Sequence, residues 1–183
     1  MRRRLFKNLI GTPCTEAVGE RAPQALDVVG AELSGAIARR LGRSLAIREV
    51  DAGSCNGCEL EIHALSNAFY DVERFGIRFV ASPRHADVLL VTGPVTHNMR
   101  EALERTYAAT PAPKWVVAVG DCGAGCGVFA DSYACVGAVS KVIPVDLTIR
   151  GCPPTPTDLL QGLLWLLTGA AASGSSRPPP ATA

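Results

Sequence analysis

The chain has 183 residues, enough for one compact domain with a substantial core, and 48% of them are hydrophobic against 19% charged. Basic and acidic residues nearly balance to a formal net charge of +1, which removes the long-range electrostatic case for nucleic acid as a partner. Seven cysteines are too few for a disulfide-built scaffold and odd in number, so reduced thiols in a cytoplasmic compartment are expected.

In chain order, Arg2, Arg3, Arg4 and Lys7 flank Leu5, Phe6, Leu9 and Ile10 in a short basic amphipathic stretch. The arginines lack the apolar h-region of an export signal, because the following GTPCTEAVGERAP is polar and broken; export is not expected. The stretch suits anionic lipid headgroups or a membrane subunit, with a solvated terminus as the plain alternative. Leu26, Val29, Leu33, Ile37 and Leu41 then recur at helical spacing, which predicts an amphipathic helix laid on the core or on a partner. Residues 1–43 therefore read as a peripheral N-terminal extension carrying that helix.

A domain over residues 44–168 is expected next. Leu45–Val50 reads as a first strand, with a turn at Asp51–Ser54. The apolar positions Leu60, Ala64, Leu65, Ala68, Phe69 and Val72 predict a helix from Glu59 to about Phe75. Ile77–Val80 is a second strand, and Asp87–Thr92 a third, nearly all apolar as buried parallel strands are. Thr96–Tyr107 reads as a polar-faced helix, with His97 either lining the edge after the third strand or, more simply, a surface helix residue, and Trp115–Gly120 as a fourth strand. Val142–Ile149 supplies a fifth, and Thr157–Leu167 a closing helix with Asp158 in its first turn. Residues 169–183, rich in Gly, Ser and Pro, are expected to be a disordered tail. No apolar run has the length of a membrane-spanning helix. Strands alternating with helices argue for an α/β fold, a doubly wound parallel sheet in a single domain.

Ligands of open parallel sheets bind beyond the carboxyl ends of the strands. Cys55 and Cys58 follow the first predicted strand, Cys122 the fourth and Cys152 the fifth, so all four fall on one sheet edge. Cys-Asn-Gly-Cys brings two thiolates within reach of one metal or cluster, and the glycines around Cys122 let backbone approach sulfur. Three other readings stand beside a cluster: a thioredoxin-type redox pair, a four-cysteine zinc site that stabilises an interaction module, and inert buried thiols. Cys126, four residues beyond Cys122, is a substitute ligand; Cys135, assigned to a helix, and Cys14 are read as bystanders. Asp51 and Asp121 are read as turn-orienting residues. Glu59 and Glu61 either help pass protons to a partner site or, for Glu59, simply favour a helix N-terminus.

The stretches DAGSCNGCELEI, ADVLLVTGPVTHNM, GDCGAGCGVFADSYACVGAVSKVIPVD and GCPPTPTDLLQGLL cover most of residues 44–168. They resemble the small cluster-bearing subunit shared by energy-converting [NiFe] hydrogenases and the 20-kDa subunit of respiratory NADH:quinone oxidoreductase. The resemblance implies a flavodoxin-like fold and one [4Fe–4S] cluster on Cys55, Cys58, Cys122 and Cys152. The respiratory subunit carries adjacent cysteines; Cys-Asn-Gly-Cys is similar instead to group-4 hydrogenase and formate hydrogenlyase small subunits. Cys126 stands where these relatives usually have a small non-ligand residue. The implied role is electron transfer beside a hydrogenase or 49-kDa-type large subunit, with a ferredoxin-like iron–sulfur subunit and membrane-arm subunits as further partners. The implied place is peripheral, on the cytoplasmic side of the inner membrane. The alternative is the equivalent subunit of a quinone-reducing, complex I-like oxidoreductase without nickel.

Overall fold

Five apolar runs become the strands of one parallel sheet in the computed structural model, which describes residues 25–125, 127–129 and 131–168. They are β1 (Leu45–Asp51), β2 (Ile77–Phe79), β3 (Val88–Thr92), β5 (Trp115–Val119) and β7 (Leu147–Ile149), in spatial order β2-β1-β3-β5-β7. That is the flavodoxin-like order of the doubly wound folds. A second, antiparallel pair joins β4 (Val95–Thr96) to β6 (Cys135–Gly137).

Side chains alternate across the sheet and divide the core in two. Leu45, Ile47, Val88, Leu90, Val117 and Val119 meet the helices α1 (Ala25–Leu41), α2 (Gly57–Ala64) and α5 (Pro156–Thr168) on one face. Leu89, Val91, Val116 and Ala118 pack on the other face against Leu103 of α3 (His97–Ala109). β3 is buried throughout, which explains why its sequence is a continuous apolar run. Helix starts follow side-chain chemistry. Thr96 Oγ1 accepts from Met99 N at 3.3 Å to cap α3. Thr155 and Asp158 cap α5 reciprocally: Asp158 N donates to Thr155 Oγ1 at 3.2 Å and Thr155 N to Asp158 Oδ2 at 3.0 Å. Among the described residues no helix is long and apolar enough to cross a membrane.

Three expectations are corrected. The helix expected from Glu59 to Phe75 stops at Ala64, and only a 3-10 turn over Val72–Phe75 follows. Asn67 Oδ1 accepts from Phe69 N and Tyr70 N, an Asx turn that competes with helix, and Asp71 is left-handed at φ 41°. The fifth parallel strand spans only Leu147–Ile149, because Val139–Lys141 forms a 3-10 turn and Pro144 lies between. Cys135 lies in strand β6 rather than a helix, where Gly137, at φ 109°, pairs with Val95. The basic stretch at residues 2–10, Cys14, Cys126 and the tail from 169 lie outside the described residues.

Candidate metal centre

The four predicted cysteines sit beyond the carboxyl ends of three parallel strands. Cys55 and Cys58 occupy the turn after β1 and the start of α2. Cys122 lies in the short helix α4 (Gly120–Gly123) after β5, and Cys152 in the turn after β7. Asp51 organises the first loop: its Oδ1 accepts from Gly53 N at 2.7 Å and Ser54 N at 2.8 Å. Asn56, left-handed at φ 70°, then turns the chain into α2. The Cys122 and Cys152 loops are joined directly. Asp121 N donates to Gly151 O at 2.8 Å, and Asp121 Oδ1 accepts from Arg150 Nε at 2.9 Å and Gly151 N at 3.3 Å. Both aspartates thus act as turn-orienting residues.

Cys58 and Cys122 lie within the field of neighbouring thiols. Burial, then Glu59, then Cys55, Cys122 and Cys152 push the Cys58 thiol up to about 12. Burial and Cys152 raise Cys122 as well, while hydrogen bonds from the backbone of Val128 and Phe129 oppose the shift. Cys55 and Cys152 are exposed, and Cys58 and Cys122 half-buried. Cys135 lies in β6 and does not figure among the groups that perturb Cys58 or Cys122.

The backbone leaves room around sulfur. A Cβ at Gly120, where φ is +82°, would lie 2.7 Å from Cys58 Sγ, and one at Gly127 would overlap Cys122 Sγ. Only glycine leaves sulfur space at both positions. Four soft thiolates that repel one another when ionised are a donor set suited to iron–sulfur or zinc. Among the described residues no three of His, Cys, Asp or Glu are grouped as a single metal ion would require. An iron–sulfur cluster gives each thiolate its own iron and spaces its ligands more widely than one ion does. The donor set and the glycine cradle fit such a group.

Two apolar residues close in sequence or by backbone contact to the cysteines are exposed. Leu60, two residues after Cys58, is 62% exposed, and Val128, whose backbone reaches Cys122, is 83% exposed. Glu59 is buried and Glu61 half-buried. His97 is exposed at the start of α3, as expected of a surface helix residue.

Sequence reasoning missed Glu49. It lies half-buried in β1, and its Oε1 has no hydrogen-bond partner. A legible signal existed: Arg48-Glu49 interrupts the apolar run of the strand that leads into the Cys-Asn-Gly-Cys turn.

Comparison with known proteins finds relatives named as subunits of oxidoreductases. Residues 55–166 match the family model described as NADH ubiquinone oxidoreductase, 20 Kd subunit. Formate hydrogenlyase subunit 7 of Escherichia coli is 42% identical over 162 residues, which cover 88% of this chain and 63% of that protein. The chain thus spans under two thirds of that relative's length. A protein of Pyrococcus furiosus named "Probable membrane-bound hydrogenase subunit mbhJ" is 45% identical over 140 residues, covering 76% of this chain and 84% of that one. A chain in the structure of the membrane-bound sulfane sulfur reductase, an archaeal respiratory membrane complex, superposes with a TM-score of 0.63 at 36% identity, over 79% of each chain.

Proposed function

The chain belongs to the NADH ubiquinone oxidoreductase 20 Kd subunit family, and from that membership we propose that it is the electron-transfer subunit of a membrane-bound group-4 [NiFe] hydrogenase or formate hydrogenlyase-type complex. Cys55, Cys58, Cys122 and Cys152 would hold one [4Fe–4S] cluster. When bound, that cluster supplies one-electron chemistry, at a potential set by thiolate donation, burial and hydrogen bonds to sulfur.

The chain's own residues do the positioning. Asp51 sets the turn that presents Cys55 and Cys58, and Asp121 ties the Cys122 loop to the Cys152 loop. The Val128 and Phe129 backbone N–H groups stabilise negative charge on Cys122 sulfur. Leu60, Val128 and Phe129 offer an apolar margin to a hydrogenase or 49-kDa-type large subunit, which would exclude water from the electron path. A ferredoxin-like iron–sulfur subunit and membrane-arm subunits complete the proposed assembly. Attachment is peripheral, on the cytoplasmic side of the membrane.

The observation that carries this reading is the gathering of four cysteines, as far apart in the chain as Cys55 and Cys152, beyond the carboxyl ends of three parallel strands of one sheet. Anaerobic reconstitution of the full chain tests it: broad visible absorption, about four irons per chain and a reduced-state EPR signal are expected. A colourless protein holding one zinc overturns it. A second reading, the equivalent subunit of a complex without hydrogen chemistry, is favoured by two relatives. One is the sulfane sulfur reductase chain. The other is an NADH-quinone oxidoreductase subunit of Heliobacterium modesticaldum, 46% identical over 110 residues, which cover 60% of this chain and 63% of that one. The two CxxC pairs that hold nickel and iron in a hydrogenase large subunit decide between the readings: their presence in the partner supports hydrogen chemistry and their absence overturns it.

A further inference from the structure

α1 and α5 lie together on one face of the sheet, joined where Arg40 Nη1 donates to Leu167 O at 3.0 Å. A groove of about 650 Å³ lies between them, with Ala31, Glu32, Gly35 and Arg39 on one wall and Leu164 and Trp165 on the other. Leu164 and Trp165 touch the core and yet stay half-buried, and Val28, one turn before Glu32 on α1, is 49% exposed. Contiguous apolar surface rimmed by polar groups is the usual mark of a binding groove.

Gly35 keeps the floor of the groove open. Glycine inside a helix is destabilising relative to alanine, because it loses more backbone freedom on folding. At Gly30 of the same helix the reason is visible: a Cβ would overlap the Phe75 ring. At Gly35 the nearest atoms belong to the Arg39 guanidinium, from 3.1 Å, at the end of a flexible, exposed side chain. Glycine there serves something that approaches α1 closely from the groove. Two charges on this wall are also unmatched: among the described residues Glu32 and Arg39 take part in no ion pair.

The chain carries a segment that suits the groove. Residues 1–24 lie outside the described residues and lead into α1 at Ala25, less than two helical turns before Ala31, or about 9 Å along the axis. Leu5, Phe6, Leu9 and Ile10 recur at helical spacing, with Lys7 among them. Residues 11–24 form the connection; at half of full extension, about 3.3 Å per residue, they already cover about 20 Å, more than the span requires. The tail from 169 begins as close, after Thr168, but GAAASGSSRPPPATA has no large apolar side chain to fill the groove.

We propose that the groove between α1 and α5 is filled by the chain's own N-terminal segment: Leu5, Phe6, Leu9 and Ile10 pack on Leu164, Trp165 and the Gly35 floor, and Lys7 pairs with Glu32. Apolar burial drives the docking. Closing so short a connection costs little entropy, because that cost grows only with the logarithm of loop length. The basic start of the chain is then a strap across two helices rather than a lipid ligand. Docking there neither needs nor disturbs the thiol site, because the groove lies towards the ends of α1 and α5, and α1 leads into the beginning of β1.

The test uses the full chain with Phe6→benzoylphenylalanine, a photo-reactive aromatic, in a mixture of ordinary and 15N-labelled chains. Irradiation should join position 6 to peptides holding residues 31–39 or 161–168 of the same chain, as mass spectrometry reads. No crosslink to either helix, or crosslinks only between labelled and unlabelled chains, overturns the proposal. So does a crosslink that forms only with phosphatidylglycerol vesicles present and lands on lipid. A second readout follows Trp165 alone, in a Trp115→Phe background. Serine at Leu5, Phe6, Leu9 and Ile10 together should shift its emission to longer wavelength and increase quenching by acrylamide, with helix content by circular dichroism otherwise kept. Gly35→Leu puts a better helix former on the groove floor, so it should hold or raise the unfolding midpoint, yet expose Trp165 and abolish the crosslink. Glu32→Lys should weaken the crosslink, and Lys7→Glu added to it should restore it. Trp165 emission indifferent to both the serine set and Gly35→Leu overturns the proposal.

Discussion

Asp121 and Gly151 hold two distant parts of the chain in register: Asp121 N donates to Gly151 O at 2.8 Å while Asp121 Oδ1 accepts from Gly151 N at 3.3 Å. Each residue precedes one of the proposed ligands, so this reciprocal pair fixes where Cys122 stands relative to Cys152. Arg150 adds a third bond to the same carboxylate oxygen. Asp121→Ala keeps the backbone bond and loses the other two. It should destabilise the metal-free chain by about 1 kcal/mol, the typical net value of such bonds at a partly exposed site. It should also speed loss of iron after reconstitution, read as the decay of visible absorption. Asp121→Asn, which keeps an acceptor oxygen, should fall between.

Serine replacement of each proposed ligand separates the thiols. Cys55→Ser, Cys58→Ser, Cys122→Ser and Cys152→Ser should each lower bound iron from about four per chain and weaken or shift the EPR signal. Cys126→Ser and Cys135→Ser should leave both unchanged. A reversed outcome for Cys122 and Cys126 moves one ligand along the loop.

The raised Cys58 thiol sets a pH dependence for the metal-free chain. Its ordinary value is 9.0 and the folded site lifts it to about 12, chiefly through burial. Over that window the folded state holds a proton that the unfolded state has released, so stability falls as pH rises. The contribution is complete below about 9 and lost towards 12. Urea unfolding of the metal-free chain should therefore show a midpoint that declines from about pH 8 to about pH 10.5, and Cys58→Ala should flatten that decline. Iron removes the effect, because a bound thiolate carries no proton.

Gly120 tests the cradle without replacing a ligand. Gly120→Ala places a Cβ 2.7 Å from Cys58 Sγ in a residue at φ +82°. Strain and overlap together should cost more than about 1 kcal/mol. Reconstituted iron should drop even where the variant folds, as circular dichroism can establish.

Leu33 of α1 is fully buried in the same core cluster as Leu160 and Leu163 of α5. Leu33→Ala should cost about 2–5 kcal/mol, the range for emptying a packed core site, measured by chemical denaturation. A helix only resting on the surface would lose far less.

Much of the fold was legible because periodicity reports burial. Asp87–Thr92 reads as a strand buried on both sides, and Val88–Thr92 is one. Leu26, Leu33 and Ile37 mark the buried stripe of α1 from spacing alone. What failed to read depended on competition between local and distant bonds. Nothing in the run from Leu60 to Val72 announces that the helix will stop at Ala64 and that the Asn67 side chain will capture two backbone N–H groups beyond it. Cys135 joins a strand because Val95 and Thr96 lie opposite it, a partnership between segments about forty residues apart.

By itself, then, the sequence determined a parallel α/β sheet and the assignment of Cys55, Cys58, Cys122 and Cys152 to its carboxyl edge, since strand periodicity and chain order suffice for both. Tertiary structure alone decided how closely those thiols influence one another and which groups surround them. Burial and the Asp121–Gly151 link both arise from pairings between residues remote in the chain. Free energies of desolvation and charge depend on those distances, and no local pattern encodes them.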